Sequence, residues 1–366
     1  MQAFWFGVIA VLWAGFFLLE GFDFGVGILL PAVAKSEQRR QIALRTIGPV
    51  WDGNEVWLLT AGGATFAAFP EWYASVFSGF YLAFALLLVG LILRGIAIEY
   101  RSKVHTATGR SWCDAGIVVG SFLPALLLGV AFANFARGVE LNSSHVMTGS
   151  FFALLSPYAL LGGLVTLTLF MFHGATFLAL RTDGEVSSHA QRLGRLLGPV
   201  STVLGAVFLI WTATMRHGAV SLLLALVLAV VLLASIAMQR ASRLGWAFIG
   251  TSLATVLVPI WAFAALWPNV LPARNNSAFS LTIHNASSSH YTLTVMTVVA
   301  LIFTPIVLAY QAWTYWVFRA RVTGDSVTAA SSAVGRLVEK AKQSAQETLG
   351  SGEGGDLAAP DHAPAQ

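Results

Sequence analysis

Long apolar runs, each about the length of a membrane crossing, follow one another from near the first residue to about Phe318. A helix needs about 20 mostly apolar residues to cross the ~30 Å hydrocarbon core of a bilayer. On that measure the pattern predicts nine spans: Phe4–Ala34, Asp52–Phe69, Ala74–Glu99, Cys113–Arg137, Phe151–Leu180, Leu196–Met215, Ala219–Gln239, Gly245–Trp267 and Tyr291–Phe318. Apolar and polar positions do not alternate in segments of about ten residues, which sets aside a transmembrane β-barrel. The expected fold class is therefore all-α, a polytopic membrane helix bundle of about nine transmembrane helices filling residues 1–318. From residue 319 to 366 the composition turns to Ser, Ala, Gly, Glu, Lys and Pro, which predicts a mostly disordered tail with one short helix over Ala333–Leu349. The first run carries two acids, follows no basic segment and continues through Gly25, Val26 and Ile28, so it reads as a spanning helix rather than a signal peptide.

Composition agrees with the pattern: 57% of the residues are hydrophobic and only 10% are charged, which excludes an ordinary water-soluble domain. The single cysteine, Cys113, excludes an internal disulfide and a multi-cysteine metal cluster. Charge sets orientation, because Lys and Arg gather in short cytoplasmic loops. With the N-terminus outside, the inner loops hold Lys35, Arg39, Arg40, Arg45, Arg101, Lys103, Arg110, Arg181, Arg192, Arg195, Arg240 and Arg243, and the outer loops only Arg137, Arg216 and Arg274. The expected topology is N-out and C-in, with the tail in the cytoplasm. The net charge of +4 then serves topology and attraction to anionic lipid, and no nucleic acid is implied.

Ionisable residues inside spans are costly, so each is a candidate for function. Glu20 and Asp23 lie three apart on one face of the first span, toward its inner end. Asp52 and Glu55 repeat that spacing where the second span starts, and Glu99 and Asp114 lie at the same side of the third and fourth. The expectation is an acidic cluster facing the cytoplasm and lining a hydrated route for protons or cations, although Asp52 by itself also suits a helix start. Asp23 sits mid-helix between Gly21, Gly25 and Gly27, which admit a neighbouring helix, and Arg94 is its expected charge partner. Asn54 is placed to hydrogen-bond between the carboxylates flanking it, while Trp51 suits the membrane interface. Among the histidines, His173 alone falls within a span, where it reads as a helix contact rather than a haem ligand; His105, His145, His189, His217, His284, His290 and His362 fall in loops, at span ends or in the tail. The Gly-rich stretches lack the partners of a phosphate-binding loop.

Three blocks, Gly21-Phe22-Asp23-Phe24-Gly25-Val26-Gly27, Trp51-Asp52-Gly53-Asn54-Glu55-Val56-Trp57-Leu58 and Ala61-Gly62-Gly63-Ala64, resemble subunit II of the cytochrome bd quinol oxidases. So do Phe77-Ser78-Gly79-Phe80-Tyr81, Tyr100-Arg101-Ser102-Lys103, Gly120-Ser121-Phe122 and Leu293-Thr294-Val295-Met296-Thr297, and the likeness runs over about residues 4–318. It implies a subunit of a respiratory terminal oxidase in the bacterial inner membrane, paired with a similarly folded subunit I. Haems b and d and the quinol-oxidising loop would belong to subunit I, with no catalytic residue and no metal in this chain. The complex would oxidise a membrane quinol and reduce oxygen to water by four electrons, drawing protons from the cytoplasm. The resemblance leaves room for small accessory subunits, bound lipid and a quinone held as a lipid-like cofactor. It implies that Asp52 lies on the proton route, that Glu99 and Lys103 mark a second hydrophilic path, and that Trp57 stands at the mouth of an oxygen channel. The expected route thus comprises Asp52, Glu55, Asn54, Asp23, Glu20, Glu99, Lys103 and Asp114, with Arg94 as charge partner. Two rival readings are a proton-coupled secondary transporter and a pure scaffold for the partner.

Overall fold

Eleven α-helices build most of the described residues, 1–215 and 218–324 of the computed structural model. They are α1 (Gln2–Val33), α2 (Glu37–Ile47), α3 (Trp51–Ala68), α4 (Pro70–Gly79), α5 (Tyr81–Arg101), α6 (Ala107–Arg137), α7 (Pro157–Arg181), α8 (Gly184–Met215), α9 (Ala219–Arg240), α10 (Leu244–Leu266) and α11 (His290–Val317). Eight of them, α1 and α5 to α11, are long and apolar enough to cross a membrane. The all-α membrane bundle expected from the sequence is the fold. His217, His362 and the helix expected over Ala333–Leu349 lie outside the described residues.

Capping decides where several helices begin. Thr106 accepts a hydrogen bond from the Gly109 amide at 3.1 Å, so α6 starts six residues before the expected Cys113. Ser36, Ser156 and Ser289 cap α2, α7 and α11 in the same way. Helix α8 starts at Gly184 rather than Leu196, because a helix continues beyond the part that hydrocarbon selects for apolarity. The span expected over Ala74–Glu99 is two helices broken at Phe80 (φ −99°, ψ 15°), with Pro70 opening α4 at a position where no amide hydrogen is needed. Helix α2 was not anticipated at all: its eleven residues are too polar to register as a span.

Helix α1 is the hub, packed against α3, α6, α7 and α10, while α5 lies on α6, α7 on α8 and α9 on α10. Phe17 sits at the centre of the core, its ring 5.1 Å from that of Phe132 on α6 and 5.2 Å from that of Phe170 on α7. Large apolar side chains such as Leu59, Ile92, Val203, Leu226 and Leu301 point outward, as a bilayer solvent requires. At one end, β1 (Asn269–Leu271) pairs antiparallel with β2 (Leu281–Thr282), and Asn275 clasps both amide and carbonyl of Leu141. At that end Gln2 donates to Ser287 and its side-chain oxygen faces His284, so the starts of α1 and α11 share a face. Arg181 donates to the Phe318 carbonyl and Val322 to that of Arg181, so the ends of α7 and α11 share another.

Candidate functional site

A buried polar cluster forms where α1, α3, α5 and α11 meet. Close helix contacts create it. A Cβ on Gly25 would collide with the Phe170 carbonyl and the Gly174 backbone, and one on Gly21 with the Phe170 ring, so the glycines of α1 admit α7. On the other side Gly120 of α6 lets the α5 backbone approach; a Cβ there would stand 2.7 Å from the Arg94 amide nitrogen. Arg94 is thereby held 1% exposed, its guanidinium 4.8 Å from the centre of the Phe24 ring.

Arg94 bridges two acids through one nitrogen: Nη2 pairs with Glu20 Oε1 and with Glu55 Oε1, the latter at 2.6 Å. Asp23, fully buried, instead accepts from the Asn54 amide, Nδ2 to Oδ2 at 2.7 Å. The expected Asp23–Arg94 pair is therefore corrected. Asp23 lies three residues on from Glu20 and faces α3, while Gly21 and Gly25 open α1 toward α7 and Gly27 opens it toward α6, none of them toward α5. Asn54 is corrected likewise: rather than joining its neighbours Asp52 and Glu55, it donates to Asp23 and to the Leu19 carbonyl. Its Oδ1 accepts from Tyr315 Oη at 2.9 Å and Gln311 Nε2 at 3.1 Å. Glu20 Oε2, Asp23 Oδ1, Arg94 Nε and Nη1 and Ser121 Oγ are buried without a hydrogen-bond partner.

The six acids do not form one group. Asp114 belongs to a second cluster at the helix ends, pairing with Arg101 Nε at 2.6 Å and Arg40 Nη1 at 2.7 Å. There Arg101 also grips Glu37 of α2 with two bonds of 2.9 Å, and Arg110 stands 3.8 Å from Glu37. The Arg101 guanidinium holds the Glu37 carboxyl below its ordinary range. Asp52 and Glu99 are exposed and make no ion pair among the described residues, and Lys103, also exposed, lies over the Tyr100 ring at 4.9 Å. Trp57 is half-buried against Gly15 of α1, its Nε1 3.5 Å from Gln311 Oε1. Gln311 and Tyr315 were missed by sequence reasoning, although two polar residues four apart on an apolar helix are a readable signal.

Among the described residues, His173 is the histidine that the sequence placed within a span, and it is held there as a helix contact. His173 has both ring nitrogens engaged, Nδ1 with Thr251 Oγ1 at 2.9 Å and Nε2 with the Leu18 carbonyl at 3.1 Å, and its ring stacks on Phe248. No group of three or more His, Cys, Asp or Glu able to hold a metal ion occurs among them.

The family described as cytochrome bd terminal oxidase subunit II matches residues 1–318. The chain belongs to that family. It is 37% identical over 361 residues to the cytochrome bd-I ubiquinol oxidase subunit 2 of Escherichia coli (strain K12), covering 88% of this chain and 95% of the relative. It is 39% identical over 326 residues to the cytochrome bd ubiquinol oxidase subunit 2 of Bacillus subtilis (strain 168), covering 87% and 96%. The fold resembles that in the structure of bd oxidase from Geobacillus thermodenitrificans, with a TM-score of 0.68 over 86% of this chain and 98% of that one, at 17% identity. As a subunit II the chain is a multi-pass protein of the bacterial cell membrane and one part of an oxidoreductase complex with a partner subunit.

Proposed function

We propose that this chain is the subunit of a cytochrome bd-type quinol oxidase that supports a haem-bearing subunit I and feeds protons to it from the cytoplasm. Membrane quinol would be the electron donor and oxygen the acceptor, two quinols being oxidised for each oxygen reduced to two waters. The observation that carries the proton role is the cluster of buried Glu20 and Asp23 and half-buried Glu55 around Arg94. With three acids to one base, its charge balances through protons rather than through protein cations. The unpartnered atoms of Glu20, Asp23, Arg94 and Ser121 are suited to ordered water, which would link the acids. Asp52, two residues before Asn54, stands exposed as the entrance, and Glu99 with Lys103 supplies a second exposed polar approach.

Asp114 drops out of this route, since it is occupied by Arg101 and Arg40. Oxygen access through this part of α3 draws support from an apolar cavity of about 320 Å³ lined by Trp13, Leu58, Gly62, Phe66 and Phe132; Leu58 follows Trp57 in the chain, and Trp57 itself does not line it. For topology we place the N-terminus outside and α3 as the ninth crossing. An odd number of crossings accords with the starts of α1 and α11 sharing one face and the end of α11 lying at the other. The transporter reading is not favoured, because the relatives are oxidase subunits.

The test is quinol-driven oxygen uptake, normalised to haem content, for the chain co-expressed with its partner. Asp52→Asn and Glu20→Gln are each expected to lower uptake by about tenfold or more with normal haem content, the scale of a lost proton-transfer group. Full uptake in both variants would leave only the scaffold.

A further inference from the structure

We propose that the groove between the end of α1, helix α2 and the start of α6 is a binding site for one anionic phospholipid. The groove is a cavity of about 280 Å³ walled by Leu30 and Pro31 of α1 and Val118 and Val119 of α6, with the Arg40–Asp114 pair lining its polar end. Its two ends differ in chemistry as the two ends of a lipid do. Asp114 lies a turn before Val118 on α6, so the polar end is the one toward the loops and the apolar end points into the span.

Three observations select the occupant. The first is depth: Trp112 is 75% exposed and shares the α6 face of Ala115 and Val119, and an exposed indole at the end of a span marks headgroup level. The second is charge. Arg40, Arg101 and Arg110 face Glu37 and Asp114, one cation in excess, and the exposed Lys35, next in sequence to the Ala34 whose carbonyl Arg40 binds, adds another. Arg40 donates Nη1 to Asp114 and Nε to the Ala34 carbonyl, which fixes the guanidinium at the groove and keeps its Nη2 out of those bonds. The third is shape: Pro31 and Val119 are exposed, so the groove opens sideways to the bilayer, where an acyl chain enters without leaving hydrocarbon. Basic pockets between helices at this level suit a phosphate headgroup. The site is separate from the buried acids and does not depend on the proton route.

The experiment is native mass spectrometry of the assembled complex, exchanged into detergent doped with phosphatidylglycerol or with phosphatidylcholine of identical acyl chains. One retained phosphatidylglycerol per complex, exceeding phosphatidylcholine by about twentyfold or more, is expected from two excess cations at headgroup depth, each contributing about fivefold. Val119→Trp, which fills the groove, is expected to remove that copy, and Lys35→Gln to lower the preference by about fivefold while leaving assembly intact. Equal retention of the two lipids, no retained lipid in the native complex because the partner covers the groove, or a preference unchanged by Lys35→Gln would each overturn the proposal.

Discussion

Two arginine–carboxylate clusters are joined through helix α5, which supplies Arg94 to one and Arg101 to the other, and they are built on opposite principles. Around Arg94, Glu20 and Glu55 share one buried guanidinium while Asp23 lies close by on Asn54, and several polar atoms have no protein partner. Around Arg101, three arginines hold two acids, the Arg101–Glu37 contact is bidentate, and the acids keep partial access to water. The second arrangement is a fastening, since cations outnumber acids and each carboxylate has its bonds. The first is poorly suited to fastening, because burying charge costs more than the pairing returns unless every group is satisfied. An acid-rich buried cluster that persists at that cost is better explained by what its acids can exchange than by what they hold together.

The sharpest way to break this contrast is Arg94→Leu, which leaves buried Glu20 and half-buried Glu55 without a cation. A loss of about 3–5 kcal/mol is expected, enough to prevent the complex from accumulating, as read by yield and thermal melting. Asp23→Asn preserves shape and the contact to Asn54 but removes an exchangeable proton. Uptake per haem should drop by about tenfold or more while the melting temperature hardly moves; a variant that melts early and keeps its turnover would make Asp23 structural.

Asp114→Asn should do the reverse, costing about 1 kcal/mol because its pairs are partly screened by water, with uptake per haem unchanged. A fall in turnover there would reunite the two clusters functionally. The smallest effect concerns Glu37. Its folded pKa is depressed by Arg101, so the stability it contributes is complete above about 4.5, the value of a free glutamate, and is lost as pH falls through the lower folded value. Melting curves between about pH 3 and 6 should therefore differ between the native complex and Glu37→Gln, and converge at the acid end.

Much of this was legible in the chain itself. Apolar length marks a membrane helix because hydrocarbon tests each segment separately, so most spans were placed within a few residues. The same locality explains the misses: α2 is too polar to register, the break at Phe80 interrupts no apolar run, and α8 continues past the part that lipid selects. The acids too were visible one by one, and Glu20, Asp23, Asn54, Glu55 and Arg94 do come together.

What the sequence determined, then, is which residues share a helix face and roughly how deep they lie, because a helix turns by a constant angle and rises by a constant step. Only the tertiary structure decided who meets whom. Arg94 goes to Glu20 and Glu55, Asp23 goes to Asn54, and Gln311 and Tyr315 arrive from a helix far along the chain. Those partnerships depend on how each helix is rotated about its axis, and that rotation is set by close contacts such as Gly25 on Gly174 and Gly120 on Arg94, which no single segment contains.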